Sequence, residues 1–161
     1  MHRFNTHYMK KIILGVLLAG SLISCGDDDK PVDPVKQDET KTLLVGKWKM
    51  VKAEYYQNGQ LVESEDLKSG SCDYDYYDLK TGGTKDEIYH DAEADCAAEN
   101  YPGTWTYESK GKTVTIVDAE DDYTIEAGIE SINASDLKIK MISSGGQPAP
   151  EGIEVFLYLK K

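Results

Sequence analysis

Histidine is scarce in this chain of 161 residues, which contains three copies. His2 and His7 lie near the amino terminus, and only His90 stands in the body of the sequence. A Ser-His-Asp or Cys-His relay would have to use that one imidazole, and a zinc site of the usual type would lack a second histidine ligand. We therefore expect a protein that is not an enzyme and that needs no metal and no cofactor.

The sequence also lacks an apolar run of the roughly 20 residues that a transmembrane helix needs. The short apolar stretch 12–23 follows Lys10 and Lys11 and ends at Cys25, which is typical of a secretory signal. The residues just before this cysteine resemble a bacterial lipobox, in which the thiol is lipidated and becomes the first residue of the mature chain. We predict a signal peptide over residues 1–24 and an acyl anchor on Cys25. The alternative is a secreted protein in which this cysteine is incidental.

Positive charge is in short supply, because 18 Lys and Arg face 29 Asp and Glu and the formal net charge is −11. Such an acidic chain disfavours a nucleic-acid partner. Residues 25–41 are charged, contain two prolines and lack apolar periodicity, so we predict a disordered acidic tether. Its Asp27-Asp28-Asp29 run resembles the surface-export signal of Bacteroidota lipoproteins, which implies an outer-membrane protein that faces outward. Simple solvating charge is the alternative.

Cysteine is limited to three copies, and no Cys-x-x-Cys motif occurs. If Cys25 is lipidated, Cys72 and Cys96 remain as an even pair in an oxidising compartment. That situation predicts a disulfide, with a metal or redox role for the two thiols as the alternative.

Residues 42–161 contain no long helical pattern. Short runs rich in Val, Ile, Thr and Tyr are separated by Gly, Asn and Asp, which is typical of strands. Their alternation of apolar and polar residues predicts an antiparallel sheet with one buried face. Closing about eight strands into a small up-and-down barrel would bury that face and remove the free edges. The predicted strands are 43–56 with a bulge near Val51, 72–79, 84–89, 103–109, 112–117, 122–132, 136–142 and 153–160. We expect residues 61–71 to be irregular and residues 91–100 to hold one helical turn.

Two Gly-x-Trp motifs, Gly46-Lys47-Trp48 and Gly103-Thr104-Trp105, each open one of these strands. A Gly-x-Trp entry, the strand pattern and the preceding lipobox together resemble the lipocalin-like domain of small Bacteroidota lipoproteins. The resemblance implies an all-β, lipocalin-like barrel over residues 42–161 whose interior can hold a small hydrophobic molecule. We expect a monomer, in which the following residues close the barrel or line a pocket: Trp48, Trp105, Ile125, Ile129, Leu137 and Ile139.

Two functions remain open from the sequence. The first is non-enzymatic binding of a small hydrophobic molecule inside the barrel. The second is a structural or interaction role with a filled barrel, which contacts an envelope protein or a glycan through a Tyr-rich outer face that includes Tyr74, Tyr76 and Tyr77. The spacing Asp73-x-Asp75-x-x-Asp78 does not fit a calcium-binding EF-hand loop, so no calcium site is expected there.

Overall fold

The computed structural model describes residues 39–120 and 122–161, so the predicted signal peptide, Cys25 and most of the predicted tether lie outside the described residues. The described part contains one short helix, one 3-10 turn and ten strands. None of its helices is long and apolar enough to cross a membrane. The elements are α1 Glu39–Leu44, β1 Gly46–Gln57, β2 Gln60–Asp66, β3 Tyr76–Leu79, β4 Thr84–Asp91, the 3-10 turn Ala92–Ala94, β5 Ala97–Glu108, β6 Thr113–Asp118, β7 Thr124–Ile132, β8 Asp136–Ser144, β9 Gln147–Pro148 and β10 Ile153–Lys160.

Eight strands form a closed antiparallel barrel, which confirms the predicted fold class. The strands follow one another in the order β1, β3, β4, β5, β6, β7, β8 and β10. The barrel closes through β10, where Leu157 lies opposite Ala53 of β1 on one side and opposite Ile139 of β8 on the other. Strands β2 and β9 are short additions at the margins of the barrel, paired with β1 and β8 respectively.

Strand β1 is bent so that its two halves serve different partners. The pairing register with β10 shifts between Met50 and Lys52, which confirms the predicted bulge near Val51. A bulge increases the local twist and turns the strand. On its other edge, the first half of β1 pairs with β3 and the second half pairs with β2, while β10 pairs with β1 on both sides of the bulge.

The prediction of an irregular segment over residues 61–71 is wrong for its first part, because Gln60–Asp66 forms β2. Asn58 and Gly59 both have positive φ angles, 52° and 77°, so they make a tight turn that returns the chain along β1. All seven residues of β2 are exposed. A strand with no buried side shows no apolar alternation, which is why the sequence pattern did not reveal it.

The folded domain begins earlier than the sequence suggests. Helix α1 starts at Glu39, inside the segment 25–41 predicted as tether. Its last residue, Leu44, is fully buried, and the carbonyl of Leu44 accepts a hydrogen bond of 2.7 Å from the indole Nε1 of Trp48. Residues 39–41 therefore belong to a helix that covers one end of the barrel.

The core consists of inward-facing residues from the barrel strands and from α1. It is rich in bulky side chains, as expected for a small barrel that is filled by its own residues. The buried cluster comprises Leu44, Trp48, Tyr77, Leu79, Trp105, Val114, Ile116, Ala127, Leu137, Ile139 and Leu159.

Candidate ligand-binding site

One end of the barrel is sealed. The ammonium group of Lys161 donates to the carbonyls of Leu43 and Val45, 2.8 Å from each, and lies 4.6 Å from the centroid of the Trp48 ring. Burial against this end lowers the pKa of Lys161. Among the described residues, Lys161 thus fastens the helix to the barrel and covers the indole at this end.

The interior above this seal is filled by the residues that the sequence marked as closing the barrel or lining a pocket. Trp48, Trp105, Leu137 and Ile139 are 4% exposed or less, and the remaining two, Ile125 and Ile129, pack against them. The void among the core side chains measures about 20 Å³, close to the size of one water molecule. These six residues therefore stabilise the barrel and leave no room beside them for a hydrophobic ligand.

The opposite end of the barrel is open. The β4–β5 connection, the β6–β7 turn and the segment between β8 and β10 surround it. A pocket of about 390 Å³ lies at this end, within the range of small-molecule sites. We call it the mouth pocket; it is lined by Glu87, Tyr89, Tyr101, Pro102, Asp118, Glu120 and Tyr123.

A buried lysine lies beneath the floor of the mouth pocket. The Lys85 side chain is fully buried, and its ammonium group donates to Glu87 Oε2 at 3.0 Å, to Asp118 Oδ1 and to the carbonyl of Tyr101 at 3.2 Å. The side chains of Glu87 and Asp118 are 23% and 20% exposed, so they separate the lysine from the pocket. One positive charge thus serves two carboxylates, and the group of three keeps a formal charge of −1.

The strand register explains why a glycine is required beside this ion pair. Gly103 of β5 lies opposite Lys85 of β4 on one side and opposite Asp118 of β6 on the other. Facing residues on neighbouring strands project to the same side of a sheet, so the lysine crosses over the glycine to reach the aspartate. A Cβ on Gly103 would lie 2.7 Å from Lys85 Cε and 2.1 Å from the carbonyl oxygen of Val117.

A second row of inward-facing residues lies next to the lysine. Tyr77, Glu87 and Tyr101 are consecutive partners across β3, β4 and β5. Burial raises the pKa of Tyr77 well above its ordinary value, and the charges of Glu87 and Asp118 raise it further. The Tyr77 phenol therefore stays neutral under the floor, contrary to the prediction that it belongs to an outer face.

Three tyrosine rings form the rim of the mouth pocket. Tyr89, Tyr101 and Tyr123 are 44%, 37% and 41% exposed, unusually open for large aromatic residues. The hydroxyl of Tyr101 donates to Glu99 at 2.6 Å, and that of Tyr123 is hydrogen-bonded to Ser144 Oγ. The rings of Tyr101 and Tyr123 are therefore held in place by their hydroxyl groups, and all three rings are partly exposed towards the pocket.

An apolar groove adjoins the rim on the side of β8 and β10. It has a volume of about 400 Å³ and is bordered by Met141, Pro148, Pro150, Val155 and their neighbours. Ser144, the partner of Tyr123, also lines this groove. The mouth pocket and the groove thus lie on either side of one tyrosine–serine contact.

The predicted disulfide between Cys72 and Cys96 is present, with a Cα–Cα distance of 5.3 Å. It joins the loop before β3 to the connection between β4 and β5, both at the open end. The strand predicted over 72–79 is shortened to Tyr76–Leu79, and the helical turn expected in 91–100 is confined to Ala92–Ala94. The bond thus fixes the connection at which β4 ends and β5 begins, next to the mouth pocket.

The outer face of β1, β10 and β8 carries aromatic residues that the sequence analysis did not single out. Phe156 and Tyr158 face outward, and the ammonium groups of Lys52 and Lys138 lie 3.9 Å and 4.3 Å from the centroids of the Tyr158 and Phe156 rings, respectively. Hydrogen bonds from Lys52 and then Tyr158 lower the pKa of Glu54 to about 2. The protein's own lysines thus cover much of this aromatic surface.

Sequence reasoning missed the residues of the mouth pocket. Lys85, Glu87 and Tyr89 alternate along β4 and all face inward, but a polar face on a strand is ordinarily taken as the solvent side. The usable signal was Gly103 within the second Gly-x-Trp motif, because a glycine inside a strand marks the close approach of another group.

Comparison with known proteins agrees with this geometry. A model of the lipocalin-like domain family matches residues 44–139, more than half of the chain. The chain belongs to the lipocalin-like domain family. A crystal structure of a lipocalin-like protein from Bacteroides uniformis ATCC 8492 is similar to it, with a TM-score of 0.51 and 16% sequence identity over 74% of this chain and 98% of that one. At that identity the likeness concerns the fold. No curated protein matches the chain.

Proposed function

We propose that this lipocalin-like protein is an outer-membrane lipoprotein that binds a small molecule at the open end of its barrel and does not transform it. The observation that carries the proposal is the contrast between the two cavities. The mouth pocket measures about 390 Å³, whereas the void in the core measures about 20 Å³. The ligand would therefore sit at the mouth, above the core residues that the sequence assigned to a pocket, and an apolar part of it would extend into the groove beside Tyr123.

The test is native mass spectrometry of the protein taken from its native membrane, followed by organic extraction. We expect a stoichiometric small molecule that is lost when Tyr89→Ala and Tyr123→Ala are combined. The matched control is Tyr74→Ala, because this tyrosine lies in the loop before β3 and does not line the pocket. A ligand retained by the double variant, or a mass without ligand together with no uptake from a panel of small molecules, would refute the proposal.

Anchoring through Cys25 and outward exposure remain part of the proposal, supported by the sequence pattern alone. Cys25→Ser should leave an unprocessed chain that is no longer retained as a lipoprotein, and a processed, membrane-bound form of this variant would contradict the anchor. Removal of Asp27–Asp29 should protect the protein from protease added to intact cells. Unchanged cleavage would contradict surface display by this run.

An interaction role is the second candidate, and the filled core favours it. A barrel without a ligand would act through its surface, and the exposed rings of Tyr89, Tyr101 and Tyr123 are the aromatic groups that such a contact would use. The same mass experiment separates the candidates, because a ligand-free protein that retains an envelope protein or a glycan through these tyrosines would support interaction over small-molecule binding.

A further inference from the structure

We propose that the mouth pocket binds a small organic cation, with a primary or quaternary ammonium group placed between the carboxylates of the floor and the tyrosine rings of the rim. This inference rests on the proposed ligand-binding role of the pocket and adds the chemical class of the ligand.

The charge of the pocket is the first argument. Glu87, Asp118 and Glu120 line it, and the only cation in hydrogen-bond contact with the first two is Lys85, within the part of the chain that the structure describes. Three carboxylates against one ammonium leave a formal charge of −2. A cleft lined by one sign of charge concentrates ions of the opposite sign, so it attracts a cation and repels a fatty acid or a phosphate.

The aromatic rim is the second argument. Ammonium groups bind over the faces of tyrosine rings by cation–π attraction, and several rings together form the cage that recognises quaternary ammonium. Tyr89, Tyr101 and Tyr123 provide three partly exposed rings around one cavity. The hydroxyl hydrogen of Tyr101 is already donated to Glu99, so this tyrosine would contact a ligand through the face of its ring and not through that hydrogen.

The cost of covering the floor is the third argument. A neutral apolar ligand would remove water from Glu87 and Asp118 and return no compensating charge, and poorly compensated carboxylates are expensive to bury. A cation supplies that compensation, since the single charge of Lys85 does not balance both acids. A neutral sugar could hydrogen-bond the carboxylates but would leave the net charge as it is.

The experiment is calorimetric titration of the mature, full-length protein in a detergent with an uncharged head group. The probe is acetylcholine, and its matched control is 3,3-dimethylbutyl acetate, a neutral ester of the same shape in which carbon replaces the quaternary nitrogen. We expect the ammonium ester to bind at least about tenfold more tightly than the neutral ester. Choline and 3,3-dimethyl-1-butanol form a second, smaller pair with the same expected order.

Variants locate the binding. Glu120→Gln should lower the affinity for the ammonium probe about threefold, since an exposed charge at the rim contributes modestly to binding. Glu130→Gln makes the same change of charge on an exposed residue of β7 outside the pocket and should change nothing. Tyr89→Leu should weaken the ammonium probe about fivefold, whereas Tyr74→Leu should have no effect.

The outcomes separate this inference from the function on which it rests. Equal affinity for the charged and neutral probes, with both weakened by Tyr89→Leu, overturns the cation and leaves the mouth as a binding site. The cation is also overturned if no ammonium probe binds at millimolar concentration while the native protein carries a neutral or anionic molecule, or binds a neutral sugar at the rim. In that case too, the mouth remains a binding site. No binding of any probe and no co-purified molecule overturn both proposals.

Discussion

Replacement of Lys85 by methionine should destabilise the barrel strongly, although methionine matches the length of the lysine stem. The lysine is buried between Glu87 and Asp118, so the variant leaves two carboxylates facing each other across an apolar gap. Methionine keeps the packing over Gly103, and the expected loss is therefore electrostatic.

The magnitude follows from the contact distances. The two carboxylate oxygens that share the lysine are at most about 5 Å apart, and at an effective dielectric constant of 20 to 40 their repulsion is about 2–3 kcal/mol. The low exposure of both side chains limits screening by water. With the hydrogen bonds of the ammonium also lost, we expect Lys85→Met to lower the free energy of unfolding by about 3 kcal/mol, the lower end of the range for breaking a buried ion pair.

Urea unfolding followed by tryptophan fluorescence measures this directly, because both Trp48 and Trp105 are buried. If the free energy of unfolding falls by about 1.5 kcal/mol per molar urea, the urea concentration at the midpoint of unfolding should fall by about 2 M. Lys110→Met removes the same charge from an exposed turn residue and should change stability by less than about 0.5 kcal/mol.

The neutral triple variant tests the cause. Lys85→Met combined with Glu87→Gln and Asp118→Asn removes the repulsion, so it should recover most of the lost stability. If Lys85→Met alone costs less than about 1 kcal/mol, or if the triple variant is no more stable than the single one, the ion pair does not stabilise the barrel as argued.

Four further changes probe other parts of the molecule. Cys72→Ser with Cys96→Ser removes a cross-link over a separation of 24 residues and should cost about 3 kcal/mol, and equal urea midpoints for the native and reduced proteins would contradict this. Gly103→Ala should lower the free energy of unfolding by at least about 3 kcal/mol, because the added methyl group clashes with the backbone of Val117 and with the side chain of Lys85. A loss below about 1 kcal/mol in the same assay would show that the strands move apart to accommodate the methyl group. Glu54→Gln should make the free energy of unfolding depend less on pH. The pKa of the Glu54 carboxylate is lowered to about 2, so its stabilisation is present above pH 4.5 and is lost as the pH falls towards 2. After solvent screening this stabilisation amounts to about 1 kcal/mol. Thermal melts at pH 6 and pH 3 would measure this, with an unchanged pH dependence as the contrary result. Trp48→Phe leaves the carbonyl of Leu44 without its indole donor and should lower the free energy of unfolding by about 2 kcal/mol, which urea unfolding measures.

The barrel could be predicted from the sequence because its signal is local and repeated. Along β7 and β8, apolar residues alternate with polar ones, and closing the sheet into a barrel is an economical way to bury such a face when no helices cover it. The Cys72–Cys96 bond followed from counting cysteines. Both inferences need only the period of the strands and the number of thiols, so they survive errors of a few residues in the strand ends.

The residues of the mouth pocket could not be predicted as a group, because the pairing register of three strands decides which of them lie next to one another. Lys85, Gly103 and Asp118 are distant in sequence and form a unit only when β4, β5 and β6 pair as they do. Taken singly, a lysine and an aspartate on strands are assigned to the solvent side. The same reasoning placed Tyr77 outside, although its row faces inward.

The barrel therefore divides into a part that stabilises and a part that is free to vary. The closed end and the core carry Trp48 and Trp105, and the Lys85 ion pair completes the packed interior directly beneath the pocket. The rim tyrosines lie above that floor and are substantially exposed, so their replacement should affect stability by little more than about 0.5 kcal/mol. Substitutions at the rim could then alter the proposed ligand specificity without loss of fold, and this separation makes a filled interior compatible with the proposed binding role.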